Sequence, residues 1–250
     1  MRQGPNPIPA VCAFAAFVAI AAAGFSAAPR ERRIVSYTTS LGGRSFSQRH
    51  NALMAARGIN GVVIGPGESF SFNKKVGSFS RDQGYRKAPV SYNGQLISDW
   101  GGGVCQTSTT LYNAALLAGM EIQERNHHHF CPSYVPPGRD AAVAFPSLDL
   151  RFRNPYTFPV RIHAMVDAQR IEVDFFGTQE LPVRPEVVAD VERSEDPETF
   201  YMGSPSGRAR VRNTGRPGFD VTVYRITGGR TEIVSNDAYP VMNRVVEFRG

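Results

Sequence analysis

Apolar residues recur at helical spacing in two stretches of the chain and alternate with polar residues in many others. The helical spacing predicts helices over 47–59 and 105–119, each with a glycine at or near its end. The alternation predicts strands over 34–39, 62–64, 69–72, 88–92, 95–99, 143–152, 160–166 and 171–176, and a further strand beginning at 122. An Asn-Gly pair at 93–94 and the DAQR segment at 167–170 suit hairpin loops. These elements predict an α+β fold, with a main helix packed on an antiparallel sheet.

The composition changes between 179 and 186, where Pro182 and Pro185 lie close together. Beyond this segment, 187–250 again alternates, as in VTVYR at 221–225, and a Gly-Gly pair at 228–229 suits a turn. The pattern predicts an α+β domain over 34–178, a linker over 179–186 and a small all-β module over 187–250.

The first 28 residues have the pattern of a secretory signal peptide. Arg2 precedes an apolar, Ala-rich stretch over 8–25, the small residues SAA follow at 26–28, and the chain then turns polar. We expect cleavage near residue 28 and a secreted or periplasmic protein of the cell envelope. The alternative is a retained anchor, since the apolar stretch is nearly long enough to span a bilayer, and only in that case would the protein stay at the membrane.

The net charge of +6 is spread along the chain and carried mostly by arginine. No helix-turn-helix or zinc-finger spacing accompanies it, so we predict no nucleic-acid partner and interpret the charge as a solvated surface. In the expected compartment, an electrostatic partner would be a wall polymer or a membrane surface. The sequence predicts no oligomeric state.

A cysteine at the start of the second predicted helix is the strongest candidate for chemistry. Cys105 follows three glycines, 101–103, and the helix dipole and free backbone N–H groups at such a position stabilise a thiolate. The same N–H groups could stabilise an oxyanion, and glycines let a substrate approach the backbone. Trp100 directly precedes the glycines and could line a groove.

The NHHH segment at 126–129 follows about twenty residues later and could bring an imidazole to Cys105, with Asp140 or Asp149 orienting it. Two other interpretations stay open from the residues alone. Cys105 and Cys131 could form a disulfide, as an even number of cysteines in an oxidising compartment favours. Alternatively, His127 and His129 could bind zinc together with Cys105 or Asp140. Chemistry alone places the disulfide first, the nucleophile close behind and the metal third.

Several linked motifs resemble the VanW family over about 49–178. They are NGVVIGPGESFSFN at 60–73, GYRKAPV at 84–90, GGGVCQ at 101–106, ST at 108–109, LYNA at 111–114 and SYVPPGRDA at 133–141. The tail, with GRPG at 215–218, VTVY at 221–224, VSND at 234–237 and YP at 239–240, is similar to the β-rich tail of longer VanW proteins, and more weakly to the five-glycine domain. The resemblance implies a bacterial envelope and an association with glycopeptide resistance, rather than a particular reaction.

The resemblance also bears on the two cysteines. Cys105 matches the family's cysteine, and His128 matches its single histidine before the SYVP segment. Cys131 stands where the family commonly has proline, so a disulfide cannot be the general role of Cys105. His127 and His129 stand where the family more often has Asn and Ser. The resemblance therefore moves the nucleophile ahead of the disulfide.

We predict a cysteine-dependent hydrolase or acyl transferase that acts on peptidoglycan or its precursors, without cofactor or metal. Cys105 is the predicted nucleophile, His128 the base, Asp140 or Asp149 the orienting carboxylate, and Gln106 or the local N–H groups the oxyanion donors. The predicted substrate-binding residues are Trp100, Gly101, Gly102, Gly103, Ser108, Tyr134 and Arg139. The alternative is a non-catalytic peptidoglycan-binding or scaffolding protein linked to glycopeptide resistance. In that case the glycines at 101–103, Trp100 and the histidine segment at 126–129 form a recognition groove, and the tail binds glycan.

Overall fold

Buried apolar side chains from two long helices and an antiparallel sheet form the main core. The computed structural model describes residues 1, 4, 30–92 and 95–249, so the predicted signal segment lies, apart from residues 1 and 4, outside the described residues. The helices are α1 (Phe46–Ile59), α2 (Phe72–Val76), a 3-10 turn (Arg81–Gln83) and α3 (Val104–Leu117). The strands are β1 (Arg32–Ser40), β2 (Val63–Ile64), β3 (Ser69–Ser71), β4 (Lys87–Tyr92), β5 (Gln95–Trp100), β6 (Glu121–Glu124), β7 (Arg151–Arg153), β8 (Val160–Val166), β9 (Arg170–Gly177), β10 (Glu186–Glu195), β11 (Thr199–Met202), β12 (Arg208–Arg216), β13 (Gly218–Thr227), β14 (Arg230–Tyr239) and β15 (Met242–Arg249).

The central sheet has the order β1-β9-β8-β2, with every neighbouring pair antiparallel. Alternation along β8 buries Ile162 and Ala164 while the residues between them face solvent. The buried side chains of this sheet share one core with Leu111 and Ala115 of α3. Two small antiparallel sheets, β3-β7-β6 and β4-β5, are formed by the part of the chain between α1 and β8.

Both long helices begin as their local sequence dictates. Ser45 caps α1 in a capping box, in which its hydroxyl accepts from the Gln48 N–H and the Gln48 side chain accepts from the Ser45 N–H. Gly103 caps α3 in the left-handed region, at φ 109°, and offers no side chain to the first helical N–H groups. The positive end of α3 therefore stays unneutralised at Val104 and Cys105.

The described structure is mostly β, with few helices. The predicted strand over 143–152 is wrong, because Ala144 and Leu148 instead close a turn through two backbone hydrogen bonds of 2.9 and 2.8 Å. Pro146 lies in that turn and has no N–H with which to continue a ladder. Only 151–153 of this region enters a sheet, as β7. Phe72, predicted at the end of a strand, instead begins α2.

The tail contains two three-stranded sheets, β10-β13-β14 and β11-β15-β12. Val221, Val223 and Tyr239 of the first sheet pack with Cys131 in a second core cluster. Val187 and Val234 pack against the main core, and residues from Glu31 onward form one compact unit. The boundary at 179–186 stays a prediction. Among the described residues, no helix has the length and apolarity needed to cross a membrane.

Candidate active site

Cys105 lies in the first turn of α3, at the uncapped positive end of that helix. Its side chain is half-buried, and its Sγ lies 3.4 Å from the Val143 carbonyl oxygen. The backbone N–H groups of Val104 and Gln106 donate to the carbonyls of Gly101 and Gly103. The sulfur thus sits where a helix dipole favours negative charge.

His128 lies close enough to the Cys105 sulfur for the two side chains to shift each other's pKa. Burial alone would raise the pKa of Cys105, but the hydrogen bond and positive charge of His128 outweigh burial and bring that pKa below its ordinary value. Burial likewise opposes protonation of His128, yet the hydrogen bonds with Asp140 and Cys105 raise its pKa to about 10. The lowered pKa of Cys105 and the raised pKa of His128 together favour a thiolate–imidazolium pair.

Asp140 is completely buried and holds the histidine in place. Its Oδ2 accepts from the backbone N–H of His128 at 2.7 Å and from Nδ1 of the ring at 2.5 Å. The Nε2 atom is consequently the ring nitrogen available to Cys105. Burial raises the pKa of Asp140, but the contacts with His128 and Arg125 lower it to about 2. Asp140 is therefore the carboxylate that orients the imidazole.

Three residues that the sequence did not single out complete this network. Tyr239 donates to Oδ1 of Asp140 at 2.5 Å, and Arg125 Nη2 donates to the same oxygen at 3.0 Å. Arg125 Nη1 also reaches both oxygens of Asp237 at 2.6 Å. Asp237 and Tyr239 belong to β14, about a hundred residues from Asp140 along the chain. Both residues lie in the tail motifs at 234–240, but their spacing along the sequence does not predict contact with the site.

Gln106 does not face the sulfur. Its amide nitrogen donates to the Ser40 carbonyl at 2.7 Å and to Thr39 Oγ1 at 3.2 Å, while its oxygen accepts from Nε of Arg44 at 2.9 Å. The side chain is buried, and its hydrogen bonds link α3 to β1. This geometry does not support the predicted oxyanion role for Gln106.

The Asp149 carboxylate has hydrogen-bond partners other than the imidazole. Its carboxylate accepts from the Ser71 hydroxyl at 2.5 Å and from the backbone N–H of Asn73 and of Leu150, both at 2.8 Å. It therefore caps the start of α2, and the orienting role predicted for it as an alternative to Asp140 has no support in the geometry.

Two predicted substrate-binding residues are engaged in internal contacts. Ser108 is buried, and its hydroxyl donates to the Ala141 carbonyl at 2.6 Å. Nε of Arg139 donates to the Asn113 side chain at 2.6 Å, and its guanidinium lies 5.9 Å from the centroid of the Tyr37 ring. These contacts position the 139–141 segment against α3. For Tyr134, in contrast, burial raises the pKa of the phenol, and the charge of nearby Cys105 raises it further.

The three glycines serve packing. A Cβ on Gly101 would lie 2.7 Å from Phe79, one on Gly102 would lie 2.7 Å from the Pro89 carbonyl, and one on Gly103 would lie 2.3 Å from the Gln48 carbonyl. The space that a side chain would need is therefore filled by the protein itself, not left for a substrate. Trp100 is half-buried at the end of β5, where Lys87 Nζ lies 5.6 Å from the centroid of its ring.

Among the described residues, neither a Cys105–Cys131 disulfide nor a set of side chains arranged for zinc is formed. Neither Cys105 nor Cys131 is part of a disulfide. The His127 ring packs edge-on against Tyr239, and the His129 ring packs against Phe130. Over the ranges described, no three His, Cys, Asp or Glu side chains are arranged to hold a metal ion.

Comparison with known proteins places the Cys–His–Asp group inside a matched region. The family model described as "VanW like protein" matches residues 47–176. Over 133 residues the chain is 41% identical to the uncharacterized protein YoaR of Bacillus subtilis (strain 168), covering 53% of this chain and 44% of that protein. Over 136 residues it is 30% identical to the vancomycin B-type resistance protein VanW of Enterococcus faecalis (strain ATCC 700802 / V583), covering 52% and 49%.

The matches thus span about half the length of these curated relatives. Among solved structures, the crystal structure of HP0197-G5 is similar to 28% of this chain and matches over its whole length, at 21% identity and a TM-score of 0.16. A score this low carries no argument about the tail, so its resemblance to the five-glycine domain stays a prediction.

Proposed function

The chain belongs to the VanW family, and from that premise we propose that it is an exported cell-envelope protein that acts on peptidoglycan through Cys105. The proposed reaction is hydrolysis or transfer of an acyl group at a peptide or amide bond. The single observation that carries the proposal is the placement of His128 beside Cys105 at the start of α3, with its ring held by the buried carboxylate of Asp140. A nucleophile, an acid–base group and an orienting carboxylate are the components of cysteine-dependent acyl transfer.

In the first proposed step, the Cys105 thiolate attacks the carbonyl carbon of the substrate and forms a carbon–sulfur bond. The N–H of Cys105 itself is the best-placed oxyanion donor, because the Val104 and Gln106 N–H groups already donate to glycine carbonyls. The carbon–nitrogen bond then breaks, and the His128 imidazolium gives its proton to the leaving nitrogen.

In the second step, water or an acceptor amine attacks the acyl carbon of the thioester and forms a carbon–oxygen or carbon–nitrogen bond, while neutral His128 takes the proton of the attacking group. The carbon–sulfur bond breaks, and the thiolate–imidazolium pair is restored. Asp140 stays ionised throughout, because its role is to hold Nδ1 of His128 and stabilise the imidazolium. Water would make the protein a hydrolase, and an amine would make it a transferase.

The compartment and the substrate class rest on other grounds. The predicted signal segment supports export, and the name of one relative connects that protein to vancomycin resistance. This link to glycopeptide resistance, together with the expected envelope location, makes peptidoglycan or its precursors the substrate class to test first. The basic net charge of +6 would also favour an anionic wall polymer.

The first experiment measures thiol reactivity in the mature protein without reductant. Iodoacetamide is added across pH 5–9, and the label on each cysteine is followed by mass spectrometry after digestion. We expect rapid labelling of Cys105 well below the ordinary thiol pKa. Cys131 is the internal control, because burial raises its pKa to about 12 and should keep it slow.

The second experiment adds peptidoglycan fragments to the wild type and to Cys105→Ser, and follows release of amine or acyl products. Products formed by the wild type alone would support the proposal. Equal function of Cys105→Ser in cell-wall assays would contradict it and would favour the non-catalytic wall-binding alternative. Slow labelling of Cys105, or a Cys105–Cys131 disulfide in the native protein, would also contradict the proposed thiolate.

A further inference from the structure

One face of the tail sheet β11-β15-β12 combines apolar and basic side chains that are exposed to solvent. Met202 of β11 pairs with Glu247 of the central strand β15, and Glu247 pairs with Arg210 of β12. Residues paired across neighbouring strands project from the same side of a sheet. Phe200 lies two positions before Met202 and therefore projects from this side as well.

Two further arginines of β12 belong to the same face. Arg208 lies two positions before Arg210 and alternation gives it the same side. Arg212 lies where the register shifts after Val211, and its Nε is 3.8 Å from Oε2 of Glu247, which places it on this face. All three arginines are exposed, and among the described residues neither Arg208 nor Arg210 forms an ion pair with a carboxylate. The face therefore carries a net positive charge.

The apolar part of this face lies beside its basic part. Phe200 is 49% exposed and Met202 is 50% exposed, although both are large apolar side chains. Neighbouring strands lie about 4.8 Å apart, so these two side chains on β11 are about 10 Å from the arginines on β12. A flat surface of this composition matches a membrane interface, where apolar side chains enter the headgroup region and guanidinium groups contact lipid phosphates.

We propose that this surface, called the basic face, binds an anionic phospholipid membrane through Phe200, Met202, Arg208, Arg210 and Arg212. A soluble anionic polymer would need only the arginines and would leave the two apolar side chains in water, which is why the membrane fits better. The contact is peripheral and does not require the predicted signal segment to be retained. It also goes beyond the proposed reaction, because it concerns where the protein binds and not what Cys105 does.

The test is sedimentation of the mature protein with lipid vesicles. One set contains phosphatidylglycerol and phosphatidylethanolamine, and the other contains phosphatidylcholine alone. We expect the protein to sediment with the anionic vesicles only, and the bound fraction to fall as salt is raised from about 0.05 M to about 0.5 M.

Two variants separate the contributions of charge and apolar contact. Arg208→Gln/Arg210→Gln/Arg212→Gln should lower the partition coefficient on anionic vesicles by at least about tenfold. Phe200→Ser/Met202→Ser leaves the charge unchanged and should lower it by at least about threefold, because less apolar surface enters the interface.

Matched controls change other exposed positions. Arg57→Gln/Arg81→Gln/Arg151→Gln removes the same charge from outside the tail and should bind nearly as the wild type does. Tyr201→Ser removes an apolar side chain that projects from the opposite side of β11, and it should also bind normally. An unchanged urea midpoint in each variant would show that the tail sheet still folds.

Three results would each overturn the proposal. They are absence of binding to anionic vesicles, equal losses in the basic-face triple variant and its control, and full binding by Phe200→Ser/Met202→Ser with complete competition by soluble poly(glycerol phosphate). The last result would assign the basic face to an anionic wall polymer. Cys105→Ser should bind vesicles as the wild type does, so failure of the proposed reaction would leave this test unaffected.

Discussion

Asp140 keeps its negative charge in a completely buried position because donors surround both of its oxygens. His128 donates to one oxygen, and Tyr239 and Arg125 donate to the other. An isolated carboxylate at this depth would take up a proton, whereas here the contacts lower the pKa to about 2. The protonation state of the imidazole, and through it that of the thiol, depends on this carboxylate.

At the residue scale, removal of His128 should abolish the low pKa of Cys105. In His128→Gln, burial still raises that pKa while the hydrogen bond and the cation are lost, so the alkylation rate at pH 6 should fall by at least about tenfold. His129→Gln is the matched control, because that ring contacts Phe130 and not the sulfur. A rate in His128→Gln equal to that of the wild type would rule out the ion pair. The measurement is the pH–rate profile for iodoacetamide.

Asp140 should also make the free energy of unfolding depend on pH in the acid range. Its folded pKa of about 2 lies below the unfolded value, so its contribution is present above about pH 4 and is lost as the pH falls through about 2. We expect this one group to account for roughly 2 kcal/mol of the fall in unfolding free energy between pH 5 and pH 2. Asp140→Asn should flatten that part of the profile, and the exposed Asp190→Asn should not. Urea unfolding at several pH values measures it, and parallel profiles for Asp140→Asn and wild type would contradict the prediction.

The sequence predicts the roles of some residues of the site and not of others. Cys105 carries two local signals, a preceding glycine run and the start of a helix, and His128 follows at a distance that one returning strand can span. Gln106 carries the same local signals as Cys105, yet its side chain points to β1. Neighbouring residues on a helix point about 100° apart, and only the packing decides which one faces the site.

At the scale of elements, the position of α3 is fixed by the close approach of Gly103 to α1. A Cβ at Gly103 would lie 2.3 Å from the Gln48 carbonyl oxygen, and the φ of 109° already disfavours other residues. Gly103→Ala should therefore lower the free energy of unfolding by at least about 3 kcal/mol.

The matched control is Gly43→Ala, where φ is also positive, at 72°, but nothing lies within 4 Å of an added Cβ. It should cost only about 1 kcal/mol, the penalty of the backbone conformation alone. Denaturant unfolding of both variants measures the difference. Equal losses would show that the contact with Gln48 does not hold α3 in place.

The elements that were predicted best are a strand whose residues alternate between buried and exposed and the two long helices, of which α1 has an exposed face and α3 is buried almost throughout. The strand over 160–166 matches β8, and the predicted helices differ from α1 and α3 by no more than two residues at each end. The stretch over 143–152 failed because Pro146 interrupts it, and its apolar residues Phe145 and Leu148 are exposed in a turn and do not pair in a ladder. An alternation of apolar and polar residues therefore identifies an element only over a long, regular run.

At the scale of the whole molecule, the tail contributes to a site that lies in the family domain. The sequence predicts a separate module over 187–250, because composition changes at 179–186. The structure nevertheless brings Asp237 and Tyr239 to Arg125 and Asp140. No periodicity or spacing can reveal such a contact between residues a hundred positions apart, since it arises only once both sheets have formed.

A chain truncated after residue 178 should therefore lose stability and Cys105 reactivity as well as the tail. Arg125 would remain beside Asp140 without Asp237, and Asp140 would lose the Tyr239 hydroxyl. Breaking a buried ion pair by removing one partner costs about 3–5 kcal/mol, so the truncated protein should unfold at lower urea and label Cys105 slowly. Because truncation also exposes apolar surface, Tyr239→Phe tests the same contact in the full chain, and Tyr201→Phe on exposed β11 is its matched control. Two results together would contradict the prediction: Cys105 in Tyr239→Phe labels at the wild-type rate, and the chain truncated after residue 178 is as stable as the full chain. The tail would then be an independent module, and the site would belong to the family domain alone.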